Sequence, residues 1–348
     1  MDPIGLYRAA RSAEGAASGY YNRNIRMDAD GRPVIVRFPL PHSDAVDLTL
    51  WPEAELLSAI GRYVRHAQRL LHASRDPDFQ IHEFVEGDLL EGVAPIGKPV
   101  PPGVIRDALA LFSELVRVPA EVLPAKNQPW PQDGDTPAFA GRLSEVSTGI
   151  HRDFASRYPE LLADLGIPAD PLGPVLTRWR DLRSRPFRLV HCDVHRKNII
   201  LSAGSGTAVF IDWQLALWGD PLYELASHIH KMGYLPDERA EVVEGWVGVV
   251  PPRCSAGWQS DLEVYLAHER VKSAFVDGVR YTGQYARAPV AGGRRRAIAE
   301  RLAVKLAAAQ PYLVGGRALP VTRVEEIMHA WADPVATGCP GPSSSPER

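Results

Sequence analysis

The sequence predicts an α+β chain, with a small β-rich N-terminal part followed by a larger, mainly helical part that carries a short β insert. Three observations carry this. Short apolar runs bounded by turn residues fill the first ninety residues, apolar positions recur at helical spacing from about residue 103, and a compact pair of apolar runs interrupts the helices at 188–213. With 348 residues, 45% hydrophobic and 23% charged, the chain is long enough for two lobes.

In the N-terminal part, Ile25 to Met27 and Val34 to Phe38 read as strands joined by the turn Asp28-Ala29-Asp30-Gly31. A helix follows, with Thr49 as its expected cap and Pro52 in its first turn. Leu57, Ile60 and Val64 share one face of it, headed by Glu53, whereas Glu55 points roughly 200° away because each residue advances about 100°. An acid at the head of a buried stripe needs a partner. Phe79 to Val85 reads as a further strand, ended by Glu86-Gly87-Asp88. Helical periodicity runs through Val104 to Val118 and Phe139 to Tyr158, on either side of a proline-rich stretch, and resumes from Tyr223 to about Ala332. Arg294, Arg295 and Arg296 read as a solvated helix start. The expected division is 1–86, 87–335 and a disordered tail over 336–348.

Composition excludes several classes. A net charge of −3 gives no footprint for nucleic acid. Three scattered cysteines, Cys192, Cys254 and Cys339, argue against a disulfide scaffold and for a reducing compartment. The first residues lack the apolar core of a signal peptide, and no apolar run approaches a membrane span. The expectation is a cytoplasmic protein, monomer or homodimer, with neither membrane nor nucleic-acid partner.

The informative segment runs from Leu189 to Trp213. Ile199 to Leu201 and Ala208 to Ile211 flank the loop SAGSGT and read as a hairpin. With Ile200 facing Phe210, Asn198 falls opposite Asp212 at its open end, and Asp193 sits in the loop just before. Three oxygen-bearing side chains at one rigid edge suit phosphoryl transfer, in which one carboxylate orients the incoming hydroxyl while an acid and an amide hold magnesium. A zinc site from His191, Cys192, Asp193 and His195 is disfavoured because no second ligand cluster accompanies it. His228 and His230, two apart on a helix, lie on different faces and read as one exposed and one partly buried histidine.

The pattern His191-x-Asp193-x-x-x-x-Asn198, followed by Ile211-Asp212-Trp213 and by Gly219-Asp220-Pro221, resembles the aminoglycoside phosphotransferase and choline-kinase-like family of small-molecule kinases. The resemblance implies a protein-kinase-like two-lobe fold, with a small β-rich N-lobe that binds the nucleotide and a larger helical C-lobe. It further implies Asp193 as the catalytic base, Asn198 and Asp212 as magnesium ligands, and His191 and Asp220 as structural supports. Arg37 occupies the place of the family's phosphate-contacting lysine, with Glu53 as its partner. Glu14 to Asn22, including Ser18, resembles the nucleotide-covering loop, and Glu83 and Val85 lie in the segment resembling the adenine-holding hinge. Neither Asp-Phe-Gly nor Ala-Pro-Glu is present, which argues against a protein kinase.

Glu269, Ser273 and Asp277, at i, i+4 and i+8, suggest a pocket for a cationic hydroxylated acceptor, against the alternative of a solvated helix face. The function expected is therefore an O-phosphotransferase using ATP (GTP being the other donor) and Mg2+ on a small molecule, an antibiotic of aminoglycoside-like type being favoured. The alternatives are a metabolic kinase of an amino alcohol, amino acid or sugar, and a non-catalytic nucleotide-binding regulator.

Overall fold

A computed structural model describes residues 1–13, 17–18, 22–40, 48–290, 293–315 and 317–338, without the side chains of 17–18 and 333–338. The chain forms two compact units, Met1–Asp135 with Arg185–Trp258, and Thr136–Ser184 with Gln259–Arg348.

All the described strands belong to the first unit. They are β1 (Ala17–Ser18), β2 (Asn22–Ala29), β3 (Arg32–Pro39), β4 (Leu70–Arg75), β5 (Asp78–Glu83), β6 (Gly87–Leu89), β7 (Arg188–Val190), β8 (Ile199–Ser202), β9 (Ala208–Phe210) and β10 (Leu217–Gly219). The first five make an antiparallel sheet in the order β1-β2-β3-β5-β4. Its β2–β3 hairpin closes over Asp30 and Gly31, both at positive φ (55° and 78°), with the Gly31 N–H donated to Asp28 Oδ1 at 2.8 Å. This is the geometry that a twisted two-residue hairpin demands. Alternation then sorts the two faces. Ile25, Val34, Val36, Phe38, Phe79 and Ile81 pack with the helix Pro3–Ser12, where Tyr7 stacks on Phe79 at 4.8 Å. Arg37 and Gln80, paired across β3 and β5, share the other face.

Several elements differ from the sequence reading. The helix after the sheet spans Glu53–Ile60, so Val64 lies beyond it, and its N-cap is Pro52 rather than Thr49. The Thr49 carbonyl instead accepts from Gln128 Nε2 at 3.0 Å. Glu55 does turn outward, where it meets Arg75. Strand β4 was not foreseen; its residues alternate between half-buried and exposed, too weak a signal to stand without the partner strand. The predicted strand 79–85 ends at Glu83.

Two small antiparallel sheets follow, β6-β8-β9 and β10-β7. At Gly87 an added Cβ would meet the Leu201 carbonyl oxygen at 2.0 Å, so glycine alone permits this approach of β6 to β8. The helix Pro102–Leu115 buries Val104, Ile105, Ala108, Leu111, Phe112 and Leu115, and its buried Asp107 accepts the Ala208 N–H at 2.8 Å, fixing β9.

The second unit is helical. Thr136–Arg157, Pro159–Asp164, Trp258–Arg287, Arg294–Ala309 and Val321–Gly338 surround a core that includes Phe154, Leu161, Phe275, Leu302 and Met328. The last helix runs three residues into the expected tail, and 339–348 lie outside the described residues. No described helix is long and apolar enough to cross a membrane.

Candidate active site

The loop between β7 and β8 holds His191, Asp193 and Asn198, and its backbone is shaped by grips from elsewhere in the first unit. Cys192 sits at φ 63°, a left-handed conformation that costs a non-glycine residue about 1 kcal/mol or more. The helix Pro221–Met232 holds it there. Glu224 Oε2 accepts the Cys192 N–H at 2.7 Å, while Ser227 Oγ and Lys231 Nζ donate to the Cys192 carbonyl at 3.1 and 2.6 Å. Residues 224, 227 and 231 recur at i, i+3 and i+7, one face of the helix. His228, on the same side, is buried and bonds the Val194 carbonyl and the Tyr234 hydroxyl. The reading of His228 as exposed or only partly buried is thereby corrected, because its two ring nitrogens find partners inside the fold.

Asp193 Oδ1 accepts from Lys231 Nζ at 2.8 Å, and Oδ2 accepts from Asn198 Nδ2 at 2.8 Å, with His195 Nε2 at 3.5 Å. Burial alone would raise this carboxyl's pKa; Lys231 and then His195 outweigh it and hold the group well below the usual carboxylate range. Asn198 spends its amide hydrogens on Asp193, through Oδ2 and the main-chain carbonyl at 3.0 Å. Its oxygen is left without a partner among the described residues. Arg196 pins the same loop through its buried guanidinium, donating to the carbonyls of Pro95, Lys98 and Met232 at 3.3, 3.1 and 2.8 Å.

The hairpin forms one residue out of the expected register. Ile199 faces Phe210 and Ile200 faces Val209, so the Asn198 carbonyl accepts from the Ile211 N–H at 3.0 Å and Asp212 lies one residue further on. The Ser202 N–H closes the loop onto the Thr207 carbonyl at 3.0 Å, and this four-residue turn sets the register. Asp212, at φ 67°, is like Cys192 a non-glycine residue in the left-handed region. Its Oδ1 accepts from Arg37 Nη2 at 2.7 Å.

Arg37 and Glu53 meet as expected, at 3.4 Å and both buried. Glu53 also accepts the Trp213 N–H at 2.8 Å, so one carboxylate holds the guanidinium and the chain just after Asp212. Gln214 Oε1 accepts from Arg37 at 3.2 Å, and the Asn22 amide, turned with its oxygen inward, meets Arg37 Nε and Nη2 at 3.1 and 2.7 Å. His191 is fully buried against Trp213, with ring centroids 4.4 Å apart, and burial lowers its pKa to about 4, so its ring is neutral. Asp220 caps the helix Pro221–Met232 through the Leu222 N–H at 2.9 Å and pairs with buried Arg185 at 2.8 Å.

The remaining expectations fare differently. Ser18 pairs by its backbone with Arg23 in β1–β2, while 14–16 and 19–21 lie outside the described residues. The Glu83 N–H is donated to the Arg69 carbonyl at 2.9 Å, and the Glu83 carbonyl accepts from Gln68 Nε2, also at 2.9 Å. Glu269 is fully buried, with Lys272 at 2.6 Å and His268 at 3.2 Å, and Asp277 pairs with Lys305 at 2.9 Å and Ser273 at 2.6 Å. These charges are met inside their own unit, so neither residue is carried forward as an acceptor contact, and Glu269 is not solvent-facing either. Lys231, Glu224, Ser227 and Arg196 were all missed. The one signal for the first three was a polar stripe at helical spacing just after Gly219-Asp220-Pro221.

Fold and loop together define a kinase-like phosphotransferase of small molecules. The profile of the phosphotransferase enzyme family APH matches residues 12–258, and the chain belongs to that family. Three solved structures show the same fold. A choline/ethanolamine kinase family protein from Mesorhizobium loti is 14% identical, with 94% of this chain and 99% of that one covered at a TM-score of 0.54. A thermostable mutant of aminoglycoside phosphotransferase APH(4)-Ia, in ternary complex with AMP-PNP and hygromycin B, is 14% identical over 96% and 99% at 0.53. A mutant aminoglycoside 2'-phosphotransferase-IIIa in complex with GDP is 16% identical over 87% and 96% at 0.54. Comparison with curated protein sequences gives no match.

Proposed function

We propose that this chain is an ATP- and magnesium-dependent O-phosphotransferase acting on a hydroxyl of a small molecule, with an antibiotic as the first candidate acceptor. The observation that supports it best is the Asp193, Asn198 and Asp212 set, in which the hydrogen bonds already made leave metal-type oxygens over. Among the described residues nothing engages Asn198 Oδ1 or Asp212 Oδ2. One amide and one carboxylate oxygen, with water and phosphate completing the shell, suit a small hard cation. When bound there, magnesium would neutralise charge on the nucleotide's phosphates.

The chain's own groups then divide the work. Asp193 orients the acceptor hydroxyl and takes its proton as the new O–P bond forms and the bond from Pγ to the departing ADP oxygen breaks. A carboxylate held this far below its usual range is a weak base, which suits late proton transfer and a mainly orienting role. Arg37 contacts phosphate oxygens, kept in place by Glu53, and the backbone of the segment from Glu83 to Val85 receives the base. GTP is the alternative donor, as GDP is bound by one structural neighbour. A metabolic kinase of an amino alcohol is the second reading, favoured by the shared fold of the choline/ethanolamine kinase family protein.

The test is transfer of labelled γ-phosphate from ATP, with and without magnesium, across aminoglycosides, macrolides, peptide and nucleoside antibiotics and amino alcohols. Magnesium-dependent labelling of one class is expected and would fix the acceptor. Bound ATP with no labelling anywhere would turn the reading toward a nucleotide-binding regulator.

A further inference from the structure

The geometry points to Lys231 as a positioning residue of phosphoryl transfer, acting through Asp193; this rests on the small-molecule kinase reading. Its ammonium group bridges two acceptors, the Cys192 carbonyl at 2.6 Å, which Ser227 Oγ also reaches, and Asp193 Oδ1 at 2.8 Å. The two acceptors belong to successive residues, so one ammonium ties the carboxylate to the strained peptide that precedes it. Asn198 holds the other carboxylate oxygen at 2.8 Å. Between them the two donors fix the carboxylate plane, and neither alone would stop rotation about the Cβ–Cγ bond.

Placement of the ammonium is itself determined. Asp220 caps the helix Pro221–Met232 at one end and Gly233 closes it at φ 57°, which sets the rotation of every side chain on the helix. Lys231 therefore reaches the loop on the same face as Glu224 and Ser227, both already bonded to Cys192. Other charged or titratable groups near Asp193 are His195 from the loop itself, His191 before it, Glu224 on the helix and Asp212 after β9. Among the described residues, Lys231 alone brings a permanent positive charge to hydrogen-bond distance of the carboxylate.

In the transfer step the acceptor oxygen forms its bond to Pγ, ADP departs with the electron pair of the broken bond, and the hydroxyl proton goes to Asp193. A carboxylate free to rotate would present the wrong lone pair for much of the time, which lowers turnover but leaves nucleotide binding alone.

The experiment is steady-state turnover of Mg·ATP, with water or the identified acceptor receiving the phosphoryl group, in Lys231→Met, Lys231→Arg, Asp193→Asn and the Lys231→Met/Asp193→Asn double variant. Expected are a fall of about 10–100-fold in kcat for Lys231→Met with the KM for ATP within about twofold, and substantial rescue by Lys231→Arg. In the Asp193→Asn background Lys231→Met should cost little more, because the group it positions is already gone. Unchanged kcat in Lys231→Met, or a full additive loss in the double variant, overturns the assignment. An absence of any ATP turnover in the wild-type protein overturns the kinase reading, and this assignment with it.

Discussion

Replacing Glu53 by Ala removes two interactions at once, the ion pair to Arg37 at 3.4 Å and the acceptor of the Trp213 N–H at 2.8 Å. Breaking a buried ion pair from one side costs about 3–5 kcal/mol, mostly through the charge left behind. Here Arg37 keeps Asp212 at 2.7 Å, so the low end applies, about 3 kcal/mol. The stranded Trp213 N–H adds about 1–3 kcal/mol. The sum, roughly 4–6 kcal/mol, is a large share of the total stability usual for a protein, about 5–15 kcal/mol. Glu53→Gln separates the two parts, since its amide oxygen still accepts from Trp213, and it should cost only roughly 2–3 kcal/mol. Urea unfolding followed by tryptophan fluorescence measures both variants, with hydrogen exchange at the Trp213 amide as the local readout. A loss below about 1 kcal/mol for Glu53→Ala, or equal losses for Ala and Gln, would refute the view that this carboxylate holds both Arg37 and the chain after Asp212.

Two further outcomes follow from the same geometry. Burial pushes Glu224 up to about 7, against the pull of the Cys192 N–H and Lys231. Its protonated form is thus favoured by folding, a contribution present in full below the unfolded value of 4.5 and lost as pH rises through 7. The stability of wild type relative to Glu224→Gln should therefore decline by up to roughly 3 kcal/mol between pH 4.5 and 7, measured by denaturant titration at each pH; a difference that stays constant would contradict it. Asp212→Ala should raise the magnesium concentration needed for ATP turnover by about tenfold or more, checked by a magnesium titration, and an unchanged dependence would remove Asp212 from the metal site.

The parts of the site legible in the sequence are those whose spacing is local. Asp193 and Asn198 lie five residues apart on one loop, and their side chains meet at 2.8 Å. Helical phase showed that Glu53 needs a buried partner, because an acid at the head of an apolar stripe cannot stand alone, whereas Arg37 as that partner was read from the family resemblance. Hairpin register escaped by one residue because the loop's own closing bond, Ser202 to Thr207, decides it and leaves no mark in the hydrophobic pattern. The grips on Cys192 escaped for a different reason. Glu224, Ser227 and Lys231 are ordinary surface residue types, and only the packing of their helix against a loop some 32–39 positions earlier turns them inward. The same holds for Arg196, whose carbonyl partners come from two segments more than thirty residues away on either side.

The central claim is that Asp193 handles the proton of phosphoryl transfer and does not serve to bind the nucleotide. Single-turnover transfer of labelled γ-phosphate in Asp193→Asn, alongside its Mg·ATP affinity, tests it most directly. The account predicts affinity within about threefold of wild type and transfer slower by about a thousandfold or more. Transfer within about tenfold of wild type at full nucleotide occupancy would contradict it.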